Sequence, residues 1–526
     1  MTSRLPLPLV FGTVLVAVLA LLLCLIPKPE NDLFFELRIG TDILTSNHIP
    51  HFDAYSWTER GRRWDVPEWG AFVLYALAYK ASGFFGTWLL MALLAVAAAW
   101  TVWLTLYRQA GIAWAFGLTT LMLLAMSDCL QERPYAFSYL LLSVSLKIVL
   151  DARDSRLQRL LWLLPLSALW ANLHQGVLVL VGLLAMYGLG DACTALWGHQ
   201  EVGRRAWVML GLAAACAGAS LLSPYGWRLY LNVLITLRDH ALMANVTEWN
   251  PVTVLPLRQL QPFFAVTLCV FGVLALSKRR SLPDILAAAA LWVNALLHAR
   301  NIALFAGGGL MVASVHLPSA VEQIKKTLGF TERSAVRDAL LSVFAFLIVM
   351  ATALVSLASL RGAIGPRGYS LEGIGEAAAR VPRFPSKAVA FMNTQQFPPN
   401  LRLLNDFETG GFLLWRLPSE PVFVDGRLDV YTGRTFDDMV TLSRSPGTSQ
   451  WKALTTLYNF DCVFTENKPE AAAFAADPHW QLVFAYPAAS LSSGRKPHEF
   501  ILLRRLPKFA PLIARCLRVE AQTRKG

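Results

Sequence analysis

About eleven stretches of this chain are apolar enough, and long or nearly long enough, to cross a bilayer. They are residues 8–26, 86–106, 112–127, 134–150, 160–172, 174–190, 206–223, 262–277, 283–297, 301–316 and 338–360, and their cores hold essentially no Asp, Glu, Lys or Arg. Few folds accept such a pattern. In lipid every backbone polar group must be satisfied within the chain, so apolar runs of about 20 residues cross as helices. The composition agrees: 16% of residues are charged, where a soluble domain carries about a quarter. The first run follows Arg4 as a signal peptide would, but no small-x-small cleavage site follows it. It reads as an uncleaved first helix.

A further run, 69–82, decides the topology. If it lies on the membrane surface, then Arg4, Arg108, the cluster from Lys147 to Arg159, Arg204-Arg205, Lys278-Arg279-Arg280 and the cluster from Lys325 to Arg337 all fall on the cytoplasmic side, as the positive-inside bias requires. If it crosses, every cluster after the first moves outside. The run therefore reads as an interfacial helix. The N-terminus is expected in the cytoplasm, and a large first loop, 27–85, outside. The same bias explains much of the net charge of +12 without any nucleic acid partner.

Residues 361–526 change character. Charge and turn residues return, with helical patterns at Pro385–Gln395 and Thr435–Leu442. Strand patterns fall at Leu401–Leu404, Val422–Val424, Cys462–Thr465, Gln481–Tyr486 and Glu499–Arg504, and Ser492–Pro497 suggests a hairpin-type turn. The expected architecture is an all-α polytopic membrane domain, residues 1–360, followed by a small extracytoplasmic α/β domain, residues 361–526. The seven cysteines show no zinc spacing. Cys462 and Cys516 are candidates for a pair if the C-terminal part is extracytoplasmic.

The outer side collects the unusual polar groups. Asp32 follows the first helix closely, where a carboxylate can serve as general base, bind a divalent metal or cap a helix. Glu36, Asp53 and Glu68 lie in the same loop. Asp128, Glu132 and Arg133 form the second outer loop. Arg133 and Arg300 stand against the charge bias, and a guanidinium can grip phosphate in bidentate fashion. His174 and His298 mark hairpin tips. Asp425 and Arg427 follow a strand-like run, a common position for a site, and equally the pattern of a tight turn with an internal ion pair. Charge-free helix cores argue against an ion-coupled transporter, which keeps ionisable groups in its spans.

Several motifs carry a resemblance. They are Asp32-x-x-x-x-Leu37-x-x-Gly40, Ile49-Pro50-x-x-Asp53-x-x-Ser56, Gly61-x-x-Trp64, Glu68-Trp69, Arg133-Pro134, Trp170-x-Asn172-x-His174, Pro224-Tyr225-Gly226, Glu248-Trp249, Ala299-Arg300-Asn301, Gly410-Gly411 and Asp425-Gly426-Arg427. Together they resemble bacterial polytopic membrane proteins that look like C-type glycosyltransferases (GT-C), the superfamily of protein mannosyltransferases and oligosaccharyltransferases. The resemblance implies an inverting enzyme that moves a sugar from a polyprenyl-phosphate donor to a carbohydrate or protein acceptor at the outer face of the bacterial cytoplasmic membrane. It casts Asp32 as the catalytic carboxylate and Asp128 or Glu132 as a second acid. Arg133, His174, His298, Arg300, Glu36, Asp53 and Glu68 would serve the substrate and its phosphate, and Asp425 and Arg427 the acceptor. A divalent cation, Mg or Mn, is a candidate cofactor. The chain departs from the pattern in two places. Asn31 stands before Asp32 with Glu30 one further back, which leaves the base open between Glu30 and Asp32. Glu36 stands where that group often has His, which leaves a metal role for the position open. The competing expectation is a non-catalytic glycolipid- or polysaccharide-binding subunit of an envelope export complex.

Overall fold

The long helix that begins at Trp69 is first broken by two residues. Ser82 and Gly83 leave helical geometry, Gly83 at φ +60°, and Gly111 does the same at φ +77°. Both glycines take a backbone region that a side chain disfavours. One continuous element, α3 (Trp69–Ala125), is thereby divided into three helical pieces. They match the expected surface helix and the two runs after it. The computed structural model describes residues 7–26, 31–152, 157–238, 247–279, 281–328, 376, 384–431, 433–486 and 499–523.

The other apolar runs among the described residues are also helical. They form α1 (Leu7–Cys24), α4 (Tyr135–Asp151), α5 (Leu163–Leu173), α6 (Val177–Trp197), α7 (Arg204–Ser220), α9 (Leu257–Leu276), α10 (Leu282–Leu297) and α11 (Ile302–Ser314). The short run at 160–172 is extended by a 3-10 segment, Leu157–Trp162. By length and composition, α3 and α6 are apolar enough to cross a membrane, and a third span arises if the bent pair Ala299–Ser314 and Leu317–Ile324 counts as one. Leu9–Cys24, Leu260–Leu276 and Leu282–Leu297 are shorter apolar helices. The expected span at 338–360 lies outside the described residues. Phe11, Val14, Leu93, Trp207 and Leu268 are exposed on these helices, where a water-facing helix would carry polar side chains. One ionisable pair is buried among them. His316 Nε2 lies 3.0 Å from Asp284 Oδ2, between the first turn of α10 and the residues just beyond α11.

Two polar segments supply helices that the hydropathy pattern did not announce, α2 (Asp32–Ser46) and α8 (Arg228–Arg238). α2 lies against the first piece of α3. The approach is close because residue 40 is glycine: a Cβ there would run into the Phe72 carbonyl.

The C-terminal part contains a four-stranded sheet in the order β1-β2-β4-β3, from β1 (Leu403–Asn405), β2 (Cys462–Thr465), β3 (Trp480–Tyr486) and β4 (Glu499–Arg504). β1 and β2 are parallel, and the other pairs antiparallel. β1 and β2 are buried at every position, which is why they read as short unbroken apolar runs. Val422–Val424 does not become a ladder strand. The Asn405 side chain takes the place of a neighbouring strand, accepting from Phe423 N–H at 2.8 Å and donating to the Val424 carbonyl at 2.8 Å. The expected turn at Ser492–Pro497 lies outside the described residues. Cys462 and Cys516 are buried free thiols, not a disulfide.

Residues of α2 and of the segment between α2 and α3 are built into this C-terminal part. Trp57 N–H donates to the Val422 carbonyl and Val422 N–H to the Tyr55 carbonyl, each at 3.0 Å, so residues 55–57 run as a parallel bridge beside Val422. Phe34 packs edge-on to Phe384 and Phe412, with centroids 4.6 and 5.2 Å away. Aromatic pairs of this geometry add about 1 kcal/mol each beyond their buried area.

Candidate functional site

Four side chains from four separate segments meet in an alternating line of acid and base. Asp32 opens α2. Arg133 stands just before Pro134, which precedes α4. Glu248 sits in the 3-10 turn Thr247–Trp249 and Arg300 in the turn Ala299–Asn301. Arg133 Nη2 lies 3.0 Å from Asp32 Oδ2. Its Nη1 donates to both oxygens of Glu248, at 3.1 and 2.9 Å. Arg300 Nη1 is 3.6 Å from the same Glu248, and its guanidinium lies 4.5 Å from the Trp249 ring centroid. Burial pushes the Glu248 carboxyl up, but the two guanidinium groups outweigh it and hold the carboxyl below its usual range.

The scaffold of this cluster is local. His298 Nδ1 lies 3.0 Å from the Trp249 carbonyl, and Ala299 N–H donates to the Asn250 carbonyl. His298 thus ties the Glu248 turn to the Arg300 turn. The Tyr75 hydroxyl donates to the Arg133 carbonyl at 3.2 Å, so the first piece of α3 steadies the loop before α4.

A second line of groups ends at Glu68. Trp170 Nε1–H donates to Ser138 Oγ at 2.7 Å, and Ser138 Oγ lies 2.7 Å from His174 Nδ1. Gly176 N–H also donates to that Nδ1, at 2.9 Å. An Nδ1 that accepts carries no proton, so the imidazole proton sits on Nε2. His174 Nε2 is 3.3 Å from Glu68 Oε1. Burial, reinforced by Arg300, holds the His174 pKa down at about 3, and the ring is neutral. Burial pushes Glu68 up to about 7, with Arg300 and Arg133 pulling down and Asp429 and Asp32 pushing up. Asp429, which accepts from Trp64 Nε1–H at 2.9 Å, is itself pushed up to about 6 by the protein crowded around it.

The other expected site residues are placed elsewhere. Glu132 is buried, and burial pushes it to about 7. No charged group contributes to that shift, so it stands apart electrostatically from the neighbouring Arg133. Asp128 is exposed on the turn Ser127–Cys129. Glu36 is buried one helical turn beyond Asp32, and Glu30 lies outside the described residues.

Asp425 and Arg427, expected on the acceptor side, are interior. The Arg427 side chain is 1% exposed. It donates to Asp425 at 2.8 and 2.6 Å and to Asp53 Oδ1 at 2.5 Å, while the Tyr431 hydroxyl donates to Asp425 at 2.8 Å. Asp53 also accepts from Tyr55 N–H, Ser56 N–H and the Ser56 hydroxyl. Burial pushes Asp53 up, yet Arg427 and these donors hold it below its usual range. The group is a lock between the segment around Asp53 and the C-terminal part. Its polar atoms face one another, which leaves no guanidinium edge turned outward for an acceptor.

The lock places the intervening glycine. Gly426 lies so close to α2 that a Cβ on it would run into Asp32 Oδ1, and Gly411 lies against the Asn31 carbonyl. The Gly-Gly and Asp-Gly-Arg motifs thus act at one seam. A second tie had no sequence signal: Arg228 Nε donates to the buried Asp65 at 2.6 Å, bringing the start of α8 to the first loop.

A divalent cation does not suit these residues as they stand. The Arg133 guanidinium lies between Asp32 and Glu248, where a shared cation would need to sit. Among the described residues no three His, Cys, Asp or Glu side chains converge as a metal site.

By fold, the chain is similar to solved structures of an oligosaccharyltransferase and of ArnT. The oligosaccharyltransferase AglB of Archaeoglobus fulgidus, solved with an inhibitory peptide and a dolichol-phosphate, superposes with a TM-score of 0.55 at 12% identity, over 92% of this chain and 73% of that one. The apo form of the oligosaccharyltransferase from the same organism gives 0.54 at 13% identity, over 93% and 74%. ArnT of Cupriavidus metallidurans in the apo state gives 0.50 at 14%, over 94% and 97%. At such identities the likeness defines the fold. No family model and no curated protein matches the chain by sequence.

Proposed function

We propose that this protein is a membrane glycosyltransferase that moves a sugar from a polyprenyl-phosphate donor to an acceptor hydroxyl. The observation that carries the proposal is the convergence of Asp32, Arg133, Glu248 and Arg300 from four segments far apart in sequence. Carboxylates and guanidinium groups in one cleft suit a reaction with positive charge growing at the anomeric carbon and negative charge on the departing phosphate. The fold supports the reading, because one similar structure, AglB, holds a dolichol-phosphate.

In this proposal the donor phosphate lies along Arg300 and the outer edge of Arg133. Arg300 has the donors to spare, since its ion pair with Glu248 is long and its ring contact leaves N–H groups at the rim. A carboxylate in or beside the cluster takes the acceptor proton. Phosphate is already a good leaving group, so the residues need not protonate it. Asp32 faces the seam with the C-terminal part, which brings the acceptor from that side. The first piece of α3 lies at the lipid surface and guides the isoprenoid. The cluster, the surface helix and the C-terminal part are assigned to the outer face of a bacterial cytoplasmic membrane, with about eleven spans and the N-terminus inside.

The test is turnover by the purified full-length protein in nanodiscs, using a panel of farnesyl-phosphoryl monosaccharides. Release of farnesyl phosphate that is lost in Asp32→Asn supports the proposal. Farnesyl phosphate sugars that bind and are never consumed identify a non-catalytic glycolipid-binding subunit instead.

A further inference from the structure

We infer that Glu68, oriented by neutral His174, is the carboxylate that takes the acceptor proton, and that Asp32 is held by Arg133 for a different duty. The inference rests on the transfer reaction proposed above and assigns its proton step.

Asp32 and Glu68 are the candidate bases, and their surroundings differ. Asp32 is in an ion pair with Arg133 at 3.0 Å. A carboxylate sharing its charge with a guanidinium is a weak base. Glu68 has a neutral partner, the His174 Nε2–H, on one oxygen. Its second oxygen has no hydrogen bond among the described residues, and a quarter of the side chain is exposed. It is thus anchored at one oxygen and open at the other.

The anchor is built with care. Both donors to His174 Nδ1 fix the tautomer, and Trp170 fixes the Ser138 hydroxyl that is one of them. Had His174 been charged, its proton would have made Glu68 a second Asp32. Instead the ring orients the carboxylate without neutralising it. The other charged groups that act on Glu68 are Arg300, Arg133, Asp32 and Asp429. The arginines attract the phosphate end of the donor, and the two acids keep Glu68 avid for a proton.

The step balances without any further reactant. The acceptor O–H bond breaks and its proton passes to the free oxygen of Glu68. The acceptor oxygen forms a bond to the anomeric carbon. The bond from that carbon to the phosphate oxygen breaks, and its electron pair leaves with the polyprenyl phosphate beside Arg300. Asp32 stabilises the positive charge on the sugar ring.

The experiment compares wild type, Glu68→Gln and His174→Phe for release of farnesyl phosphate from the same donor panel between pH 5 and 9. The wild-type rate falls on the acid side with a midpoint near 7, the value to which burial raises Glu68. Glu68→Gln lowers kcat by at least ~100-fold, the usual scale of a lost general base, with donor KM within about threefold. His174→Phe removes the polar Nε2–H that lies 3.3 Å from the Glu68 carboxylate and favours its charged form, so the acid midpoint moves to higher pH, a shift that a merely structural defect would not produce. A Glu68→Gln protein that keeps its rate within about threefold, or a wild-type acid midpoint unmoved in His174→Phe, overturns the assignment alone. A wild type that turns over no donor overturns the transfer reaction and this assignment together.

Discussion

Gly426 lies against Asp32 so closely that the bare α-carbon is required: any side chain at residue 426 would occupy the space of the Asp32 carboxylate. Two residues far apart in the chain therefore lie in direct contact. Gly426→Ala should shift Asp32 relative to Arg133 and lower transfer by roughly 100-fold, the scale that a misplacement of about 1 Å can reach. The sheet lies elsewhere, so thermal unfolding should change little. Wild-type rates in Gly426→Ala would show that Asp32 position does not matter.

Arg133 bridges Asp32 and Glu248 with separate nitrogens. A lysine presents one point charge and cannot span both. Arg133→Lys should keep the fold and lose most turnover, with farnesyl phosphate binding weakened by about tenfold, or about 1.4 kcal/mol. Binding is read by displacement of a fluorescent isoprenoid phosphate. Equal affinity in the variant would exclude Arg133 from the phosphate.

Because that guanidinium fills the space between the two carboxylates, farnesyl phosphate binding and transfer should be unchanged, within about twofold, by EDTA. A loss in EDTA that Mn or Mg restores would mean that Arg133 moves aside for a cation when substrate binds.

The Arg427 lock should dominate the stability of the seam. Removing the guanidinium leaves Asp53 and Asp425 buried together. Arg427→Met should cost about 3–5 kcal/mol, the range for breaking a buried charge pair from one side, and thermal unfolding of the full chain measures it. The pH dependence has a definite sign. Asp53 is held below its ordinary value of 3.8, so the stability it lends is present above about pH 4 and drains away as pH falls through the lowered value. In Arg427→Met that acid-side loss should shrink. An unaltered acid limb would place the origin of acid sensitivity elsewhere.

Much of the fold could be read before the structure. The run 69–82 was set apart by the positive-inside bias, and the helix does break there, at Ser82-Gly83, while β2 was legible as a short apolar run, Cys462–Thr465, in a turn-rich region. Val422–Val424 was not, since its backbone partners are the Asn405 side chain and residues 55–57, more than 360 positions earlier, rather than a strand of the sheet. At the site, Asp32 and Arg133 were visible because carboxylates and arginines are conspicuous beside apolar runs. Glu248 was quoted as part of a motif and passed over as a site residue. Its importance comes from Arg133, 115 residues away. Arg427 was assigned to the acceptor for a related reason. Asp-Gly-Arg after an apolar run looks the same whether its charges point out or in, and the partner that turns them inward, Asp53, is 374 residues distant.

The seam between the first loop and the C-terminal part also imposes an order on the making of this protein. A ribosome releases Asp32 and Asp53 early, and both must wait for residues 425–427 before the lock closes. Until then Asp53 is a lone acid with no guanidinium, and the wall beside Asp32 is missing. A chain that stops short of residue 425 therefore lacks both contacts, Arg427 on Asp53 and Gly426 against Asp32, however its helices have formed.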